Sequence, residues 1–588
     1  MRFSEIADTF EKMSATTKRL ELTQHLVELF QKTPPEIISK IVYLIQGKLR
    51  PDFEGVELGL AEKLAIHALA KSSGIAIKKI NSVYAEDGDL GSTAAKILEQ
   101  KTQTTFLAQD ITAERVYETL YKIAKLEGQR SQDMKMKYVS SLLNDATPQE
   151  AKFILKIAMG TLRLGIADNT VMDALAISFT GAKDNREKLE AAYNVSSDLG
   201  TVAETISRKG LDGLKEFHVK VFSPIRPMLA ERVKSEAEAI EKLGSGFAAE
   251  YKLDGERVQI HYKENKVVLY SRRLENITSY YPDILENIPK ALKTTDVILE
   301  AEAVAINQDS GEFLPFQELM HRRRKYDIDR IVEKYPITVN LFDVLYLNGQ
   351  DLLNEPYKTR RKKLVEITNE DDYTKIVTQT LVHTENEIED FLENGINAGC
   401  EGLMLKVLDA PYRAGARGNN WLKLKREYRN ELGDSLDLVV IGAFFGKGRR
   451  TGKYGTLLLA SYNQDKDTFE SICKVGTGFT DENLDQFYQI LQDKVTLKKN
   501  PRIESGMEPD VWFEPELVIE IVASEITLSP VHTTAKNSIR TGSGLALRFP
   551  KFTGKIRMEK APEDASTDQE VIALYKNQKK VNQSISEI

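Results

Sequence analysis

The chain contains 588 residues, of which 41% are hydrophobic and 29% are charged. At about 100–200 residues per domain, this length predicts about three or four domains, and the apolar content excludes a disordered protein. The net charge of −7 argues against a protein that binds nucleic acid through overall charge alone. The only cysteines, Cys400 and Cys473, exclude a disulfide scaffold and a four-cysteine zinc site.

The sequence carries no signal for a membrane span or for secretion. It has no run of about 18 apolar residues, and its charged N-terminal segment lacks an apolar signal core. We therefore expect a cytoplasmic protein with reduced cysteines.

Residues 1–222 are predicted to form an all-α domain. Apolar residues recur at the spacing of one helix face at Leu22, Leu26, Leu29 and Phe30. Residues 33–36 read Thr-Pro-Pro-Glu, which is the pattern of a capping box and predicts that the next helix begins at Pro34. Residues 1–220 carry 30 basic and 30 acidic side chains, so this segment is the least acidic part of the chain.

Residues 223–432 are predicted to form an α+β domain that follows a linker containing Pro224 and Pro227. The β-rich runs lie at 247–253, 257–262, 266–271, 297–306, 337–347, 402–408 and 421–425. Residues 433–588 contain further short β runs separated by glycine-containing turns, and a polar tail with a helix pattern. This last segment is predicted to form a small β-barrel such as an OB-fold, with a C-terminal helix.

The segment from Glu250 to Arg257 combines a lysine with a turn. In a strand, Glu250 and Lys252 share one face, and Asp254-Gly255 supplies the turn. A lysine amine becomes a nucleophile when neighbouring cations, here Arg257 and Arg272, favour its neutral form. An ordinary strand end followed by a turn has the same pattern, so this segment alone does not establish a catalytic lysine.

Three later segments add paired charges in a fixed order along the chain. Glu300 and Glu302 fall on one strand face, where a bound Mg²⁺ or a ribose hydroxyl would offset their repulsion. Glu401 begins another strand, and Lys423 and Lys425 share a face that calls for an anion such as phosphate. A solvated strand face explains each segment separately, but it does not explain all of them together.

In this order, the segments resemble the ATP-dependent DNA ligases of the archaeal and eukaryotic replicative type, which are covalent nucleotidyltransferases. The matching stretches are KLDGER at 252–257, SRRLENITSYYPDI at 271–284, LEAEAVA at 299–305, NLFDVLYLNG at 340–349, EGLMLK at 401–406 and RGNNWLKLK at 417–425. The helical region around 162–167 is similar to the DNA-binding domain of the family. Residues 557–560 read Arg-Met-Glu-Lys where the family usually has Arg-x-Asp-Lys, which leaves the role of Glu559 open.

The resemblance implies a role for each matching residue. Lys252 would be the adenylated lysine, Phe342 would stack on adenine, and Glu302 and Glu401 would bind the metal. The nucleotide-contacting residues implied in this way are Glu250, Arg257, Arg272, Glu302, Phe342, Arg417, Lys423 and Lys425.

The implied reaction uses ATP and Mg²⁺ to seal nicks in double-stranded DNA during replication, repair and recombination. Lys252 attacks the α-phosphate of ATP and releases pyrophosphate, and AMP then passes to the 5′-phosphate of the nick. The adjacent 3′-hydroxyl displaces AMP and closes the strand. The resemblance also implies a monomer whose C-terminal barrel closes over ATP.

Three other interpretations remain open on the residues alone. An RNA ligase or a capping guanylyltransferase would share Lys252 and Asp254-Gly255, but neither predicts a helical domain of this length. A P-loop ATPase is suggested by Gly446 to Tyr454, although the glycine spacing differs and Tyr454 replaces the Ser/Thr that Mg²⁺ requires. A non-catalytic DNA-binding protein would need none of the acid and lysine pairs.

A sliding clamp is a further predicted partner. Gln100, Phe106 and Leu107 have the outer spacing of a clamp-binding peptide, but Gln103 occupies its inner hydrophobic position. A loop after the preceding helix is the alternative interpretation.

Overall fold

The computed structural model describes residues 1–100, 110–128, 130–306, 313, 316–322, 330, 332, 334–398, 400–425, 435–446, 452–523, 525–548 and 550–583. The chain forms two compact units. The first contains residues 1–231, 242–383 and 404–422, and the second contains residues 232–241, 384–403 and 423–588. The predicted clamp-binding residues Phe106 and Leu107, and residues 447–451 of the P-loop-like segment, lie outside the described residues.

Helices build the first part of the chain, as the apolar spacing predicts. They are α1 Phe3–Ser14, α2 Arg19–Lys32, α3 Ile38–Ile45, α4 Glu62–Ser73, α5 Ile77–Asp87, α6 Leu90–Glu99, α7 Ala113–Lys125, α8 Ser131–Asp145, α9 Pro148–Ala158, α10 Asp168–Thr180, α11 Arg186–Ser196 and α12 Leu199–Gly213. The four apolar residues predicted to share a face of α2 are all buried in one hydrophobic core with the other helices.

The capping box expected at residues 33–36 is wrong. Helix α3 begins at Ile38, and its N-terminus has no side-chain cap. The hydroxyl of Thr33 instead donates to the carbonyl oxygen of Leu29 at 2.8 Å, so it stabilises the end of α2. A capping box occurs at the start of α9, where Thr147 and Glu150 each bond the other's backbone N–H.

Strands dominate the middle of the chain. They are β1 Leu229–Val233, β2 Phe247–Lys252, β3 Glu256–Lys263, β4 Lys266–Ser271, β5 Asp296–Ala305, β6 Ile337–Leu347, β7 Gln350–Asp351, β8 Thr374–Ile376, β9 Gln379–Val382, β10 Gly402–Lys406 and β11 Arg417–Lys425. Helices in this part are α13 Glu236–Leu243, α14 Pro282–Ala291, α15 Phe316–Met320, α16 Tyr357–Ile367 and α17 Glu385–Asn397.

These strands form two sheets. One has the order β1-β11-β10-β2-β9, and the other has the order β4-β3-β5-β6-β7 with β8 beside β6. Strands β3, β5 and β6 pair antiparallel at the centre of the second sheet. Each predicted β-rich run of this region corresponds to a strand, because the alternation of apolar residues fits a sheet that buries at least one face.

The last part of the chain is also β-rich. Its strands are β12 Leu436–Phe445, β13 Tyr454–Asn463, β14 Thr468–Val475, β15 Val495–Thr496, β16 Ile503–Glu504, β17 Val511–Phe513, β18 Val518–Val522, β19 Glu525–Ser529, β20 Gly544–Arg548 and β21 Lys551–Ile556. Strands β12, β13 and β14 form an antiparallel meander, and β18 lies between β12 and β21. Helices α18 Asp481–Leu491 and α19 Asp568–Gln583 accompany them.

Two further expectations concern the chain as a whole. Cys400 and Cys473 are both free and buried, so they form no disulfide. Across the described ranges, none of the helices is both long enough and apolar enough to cross a membrane.

Candidate active site

Lys252 is the last residue of β2, and a three-residue turn connects it to β3 in the other sheet. Gly255 in this turn packs directly against β5. A Cβ atom at Gly255 would lie 2.3 Å from the carbonyl oxygen of Ala303, closer than real Cβ atoms approach. The turn therefore requires glycine, and it brings the end of β2 next to the part of β5 that carries Glu302.

Glu302 lies on β5 between Arg257 of β3 and Asn340 of β6. Burial raises the pKa of Glu302 to about 7, and the positive charges of Lys252 and Arg257 oppose that shift. The carboxyl and the lysine amine are thus close enough for the charge of Lys252 to act on Glu302. Both residues belong to the predicted site, and their roles stay predictions.

Glu250 is buried, and its carboxylate has its partners within the protein. Lys406 lies with Nζ 2.5 Å from Oε2 of Glu250, Arg361 lies with Nη1 3.3 Å from Oε1, and the Tyr357 hydroxyl donates to Oε1. Lys406 is itself buried. Burial lowers its pKa, although the negative charge of Glu250 partly opposes this shift. The predicted nucleotide contact is therefore held in place by other side chains of the protein.

Aromatic rings lie beside this ion pair. The Nζ atom of Lys406 is 4.4 Å from the ring centroid of Trp421 and 4.9 Å from that of Phe342. Phe342 is half-buried on β6 and meets Trp421 edge to face, with centroids 6.1 Å apart. The ring predicted to stack on adenine is thus fixed by neighbouring side chains.

Arg257 and Glu300 form a second ion pair, with Nε of Arg257 2.7 Å from Oε2 of Glu300. Glu300 also accepts hydrogen bonds from Gln259 and Tyr412, both at 3.0 Å. The sequence suggested an external cation or a ribose hydroxyl for this carboxylate. The structure provides its counter-charge inside the protein, because Arg257 lies on the adjacent strand.

The remaining predicted residues lie at strand ends. Arg272 follows β4 and Arg417 begins β11, and both are exposed. In the second unit, Nζ of Lys425 lies 2.6 Å from Oε2 of Glu401, so a predicted phosphate contact neutralises a predicted metal ligand. Lys423, two residues earlier on β11, is half-buried.

The C-terminal motif carries its own counter-charges within the second unit. Arg557 lies 3.4 Å from Asp437 and 3.2 Å from Glu520, and Lys560 lies 2.6 Å from Asp437. The Glu559 carboxylate accepts from Nε of Arg557 at 2.6 Å. The longer side chain of Glu559 thus reaches back to the arginine of its own motif.

Sequence reasoning missed the residues that hold the predicted site in place. These positioning residues are Tyr357, Arg361, Lys406 and Tyr412. Lys406 had a detectable signal, since it is a cation that ends the apolar run of β10. Tyr357, Arg361 and Tyr412 lie outside the motif-bearing strands.

Comparison with known proteins places the chain in a family. Three family models match it in order: DNA ligase N terminus at residues 2–176, ATP dependent DNA ligase domain at 227–425, and ATP dependent DNA ligase C terminal region at 450–560. The chain belongs to the ATP-dependent DNA ligase family. This membership confirms the resemblance and the ATP-dependent DNA ligation that it implies, and it agrees with a three-domain architecture that has a helical N-terminal region.

Relatives of this ATP-dependent DNA ligase cover its whole length. The chain is 71% identical to a DNA ligase of Nitrosopumilus maritimus (strain SCM1) and 68% identical to one of Cenarchaeum symbiosum (strain A), each over 99% of both chains. The solved structure named Pmar-Lig_Pre is 16% identical and has a TM-score of 0.55, covering 94% of this chain and 98% of that one. The last match supports the fold alone.

Proposed function

We propose that the protein seals nicks in double-stranded DNA in replication, repair and recombination, with Lys252 as the residue that accepts AMP from ATP. The observation that carries this assignment is the turn at Gly255, which brings Lys252 at the end of β2 into electrostatic contact with Glu302 on β5. A carboxyl and a lysine amine at one point between two sheets are suited to phosphoryl chemistry, which depends mainly on positioning and charge neutralisation.

The reaction proceeds in three transfers. The neutral amine of Lys252 attacks the α-phosphorus of ATP, pyrophosphate leaves, and a phosphoramidate to AMP forms. The 5′-phosphate of the nick then takes AMP from Lys252, and the 3′-hydroxyl displaces AMP to form the phosphodiester. Lys252 attacks as the neutral amine, so it loses a proton before the first transfer.

Mg²⁺ is the proposed metal of the reaction. No cluster of three or more ligating side chains occurs in the part of the chain that the structure describes. Mg²⁺ is commonly held by one or two carboxylates together with substrate phosphates, and Glu302 in the first unit and Glu401 in the second are each a candidate for such a carboxylate. When bound, the ion would neutralise charge on the phosphates of ATP.

The nucleotide contacts follow from the same assignment. We assign adenine stacking to Phe342 and base or ribose contacts to Glu250 and Arg257. Phosphate and ribose contacts are assigned to Arg272, Arg417, Lys423 and Lys425. Their fixed or strand-end positions support these roles.

The domain assignment is also a proposal. We assign DNA binding to residues 1–222, adenylation to residues 223–432 and an OB-fold to residues 433–588. The meander of β12, β13 and β14 with β18 beside β12 supports a small barrel. A cytoplasmic monomer and a sliding clamp that binds near Phe106 remain predictions.

Labelling with ATP carrying a labelled α-phosphate tests the assignment. In the presence of Mg²⁺ we expect acid-labile AMP on the wild-type protein, none on Lys252→Ala, and normal labelling of Lys375→Ala, an exposed lysine of β8. Unlabelled wild-type protein would contradict the proposal. Joining assays on nicked DNA and nicked RNA separate the remaining alternative, since a preference for RNA would indicate an RNA ligase.

A further inference from the structure

We propose that Tyr412 is a positioning residue for nucleotide binding, because its hydroxyl fixes the guanidinium of Arg257. This inference rests on the proposed function, in which Arg257 contacts the nucleotide. Tyr412 lies between β10 and β11 and belongs to none of the matching motif cores.

The Tyr412 hydroxyl takes part in three hydrogen bonds in a buried position. It accepts from the backbone N–H of Met228 at 2.9 Å and from Nη2 of Arg257 at 3.1 Å, and it donates to Oε1 of Glu300 at 3.0 Å. Burial and the charge of Glu300 raise the pKa of Tyr412 well above its ordinary value, so the hydroxyl keeps the proton that it donates.

Arg257 is held by the same neighbours. Its Nε donates to Oε2 of Glu300 at 2.7 Å, and its Nη1 donates to the carbonyl oxygen of Met228 at 2.8 Å. Tyr412, Arg257 and Glu300 thus form one closed cycle of hydrogen bonds. Tyr412, Arg257 and the backbone of Met228 form a second cycle, and the hydroxyl belongs to both.

The two cycles fix the plane of the guanidinium. Three of its five N–H groups are used within them, one on each nitrogen, which leaves two outside the cycles. The guanidinium also lies 5.4 Å from the ring centroid of Phe342, the residue assigned to adenine, and its charge acts on Glu302. The guanidinium that carries the two remaining N–H groups therefore lies beside the assigned adenine platform, and its charge acts on the acid beside Lys252.

Glu300 is fixed from a further side. Gln259 donates from Nε2 to Oε1 of Glu300 at 3.0 Å and to the carbonyl oxygen of Ile225 at 3.0 Å. The Oε1 atom of Gln259 accepts from the backbone N–H of Ile225 at 2.7 Å. Since Glu300 is anchored in this way, loss of the Tyr412 hydroxyl would release mainly Arg257 and Met228.

The test is Tyr412→Phe, which removes one oxygen atom and keeps the buried ring. We expect the KM for ATP in the formation of protein–AMP to rise about fivefold, the net effect of losing one typical hydrogen bond, with kcat changed less than about twofold. The matched control is Tyr346→Phe, whose hydroxyl bonds Asp296 at 3.3 Å and is assigned no role in the site. We expect its KM to equal that of the wild type.

A double-mutant cycle separates positioning from general weakening of the fold. In an Arg257→Ala background, Tyr412→Phe should change the KM less than about 1.5-fold, because the residue through which it acts is gone. An additional fivefold rise in that background would overturn the proposal, as would an unchanged KM in the single variant. If the Tm of Tyr412→Phe is lowered, the KM values of all four proteins of the cycle are measured at a temperature at which each of them is folded.

The outcome is independent of the test of the proposed function. Wild-type protein that takes no AMP on Lys252 would reject the function itself. Wild-type protein that is adenylated normally, together with a Tyr412→Phe variant that has wild-type KM, would reject only the positioning role.

Discussion

The helical region and the two-sheet region of the first unit differ in the charges that they bury. Up to Phe217, the acidic or basic side chains that are buried among the described residues are Glu150 and Asp173. The two-sheet region buries many more: Glu250, Glu256, Glu300, Arg322, Asp343, Arg360 and Lys406. The core of the helical region is therefore almost entirely apolar, whereas the core of the two-sheet region also contains buried ion pairs.

Burying charge is costly, so the difference calls for a functional explanation. The desolvation of two ions often outweighs their attraction, and apolar side chains of similar size would stabilise a fold at least as well. The pairs Glu250–Lys406 and Arg257–Glu300 surround residues assigned to the nucleotide. We infer that they are retained because they hold ligand-binding groups in fixed positions.

The largest expected effect comes from breaking the Asp343–Arg360 pair. Both side chains are fully buried and joined by two hydrogen bonds at 2.8 and 3.0 Å. Asp343→Leu leaves the arginine charge without a partner and should cost about 3–5 kcal/mol, measured as a lower urea midpoint. The double variant Asp343→Leu/Arg360→Leu should recover most of that loss. A double variant as unstable as the single one would show that the pair itself stabilises the fold.

A smaller effect is expected from the pH dependence of Glu302. Its pKa is about 7 in the folded protein against an ordinary value of 4.5. Because the folded state binds this proton more tightly, the stability it contributes is complete below about pH 4.5 and is lost as the pH rises through 7. Glu302→Gln lacks this loss, so its stability relative to the wild type should increase by on the order of 2 kcal/mol between pH 5 and pH 8.

Urea midpoints at the two pH values measure this change. Glu264→Gln, in the exposed turn between β3 and β4, is the matched control and should show no such trend. An equal difference between Glu302→Gln and the wild type at both pH values would contradict the assigned pKa.

The smallest effect is expected in the helical region. Thr147 caps α9 by accepting from the backbone N–H of Glu150 at 3.3 Å. Thr147→Ala should cost about 1 kcal/mol in thermal unfolding, without a change in the KM for ATP. Thr9→Ala, within α1, should stay within about 0.5 kcal/mol of the wild type. A changed KM in Thr147→Ala would contradict the expectation that the helical region affects stability but not ATP binding.

The strands around the site could be predicted because their apolar residues alternate and their turns contain glycine. The roles of Lys252 and Glu302 come from the order of the motifs and the family resemblance, and they stay predictions. The start of α3 could not be predicted, because the Thr33 hydroxyl donates to the carbonyl oxygen of Leu29 in α2 and does not cap α3. The contact between Arg257 and Tyr412 joins residues 155 positions apart, and no local pattern encodes it.

Gly255 limits how far this site can vary. Any side chain at this position would meet the backbone of Ala303 and would push the turn away from β5 by about 1 Å. That displacement would carry Lys252, the proposed nucleophile, away from Glu302. The position of Lys252 relative to Glu302 thus depends on the absence of a Cβ atom at residue 255, and even alanine is too large there.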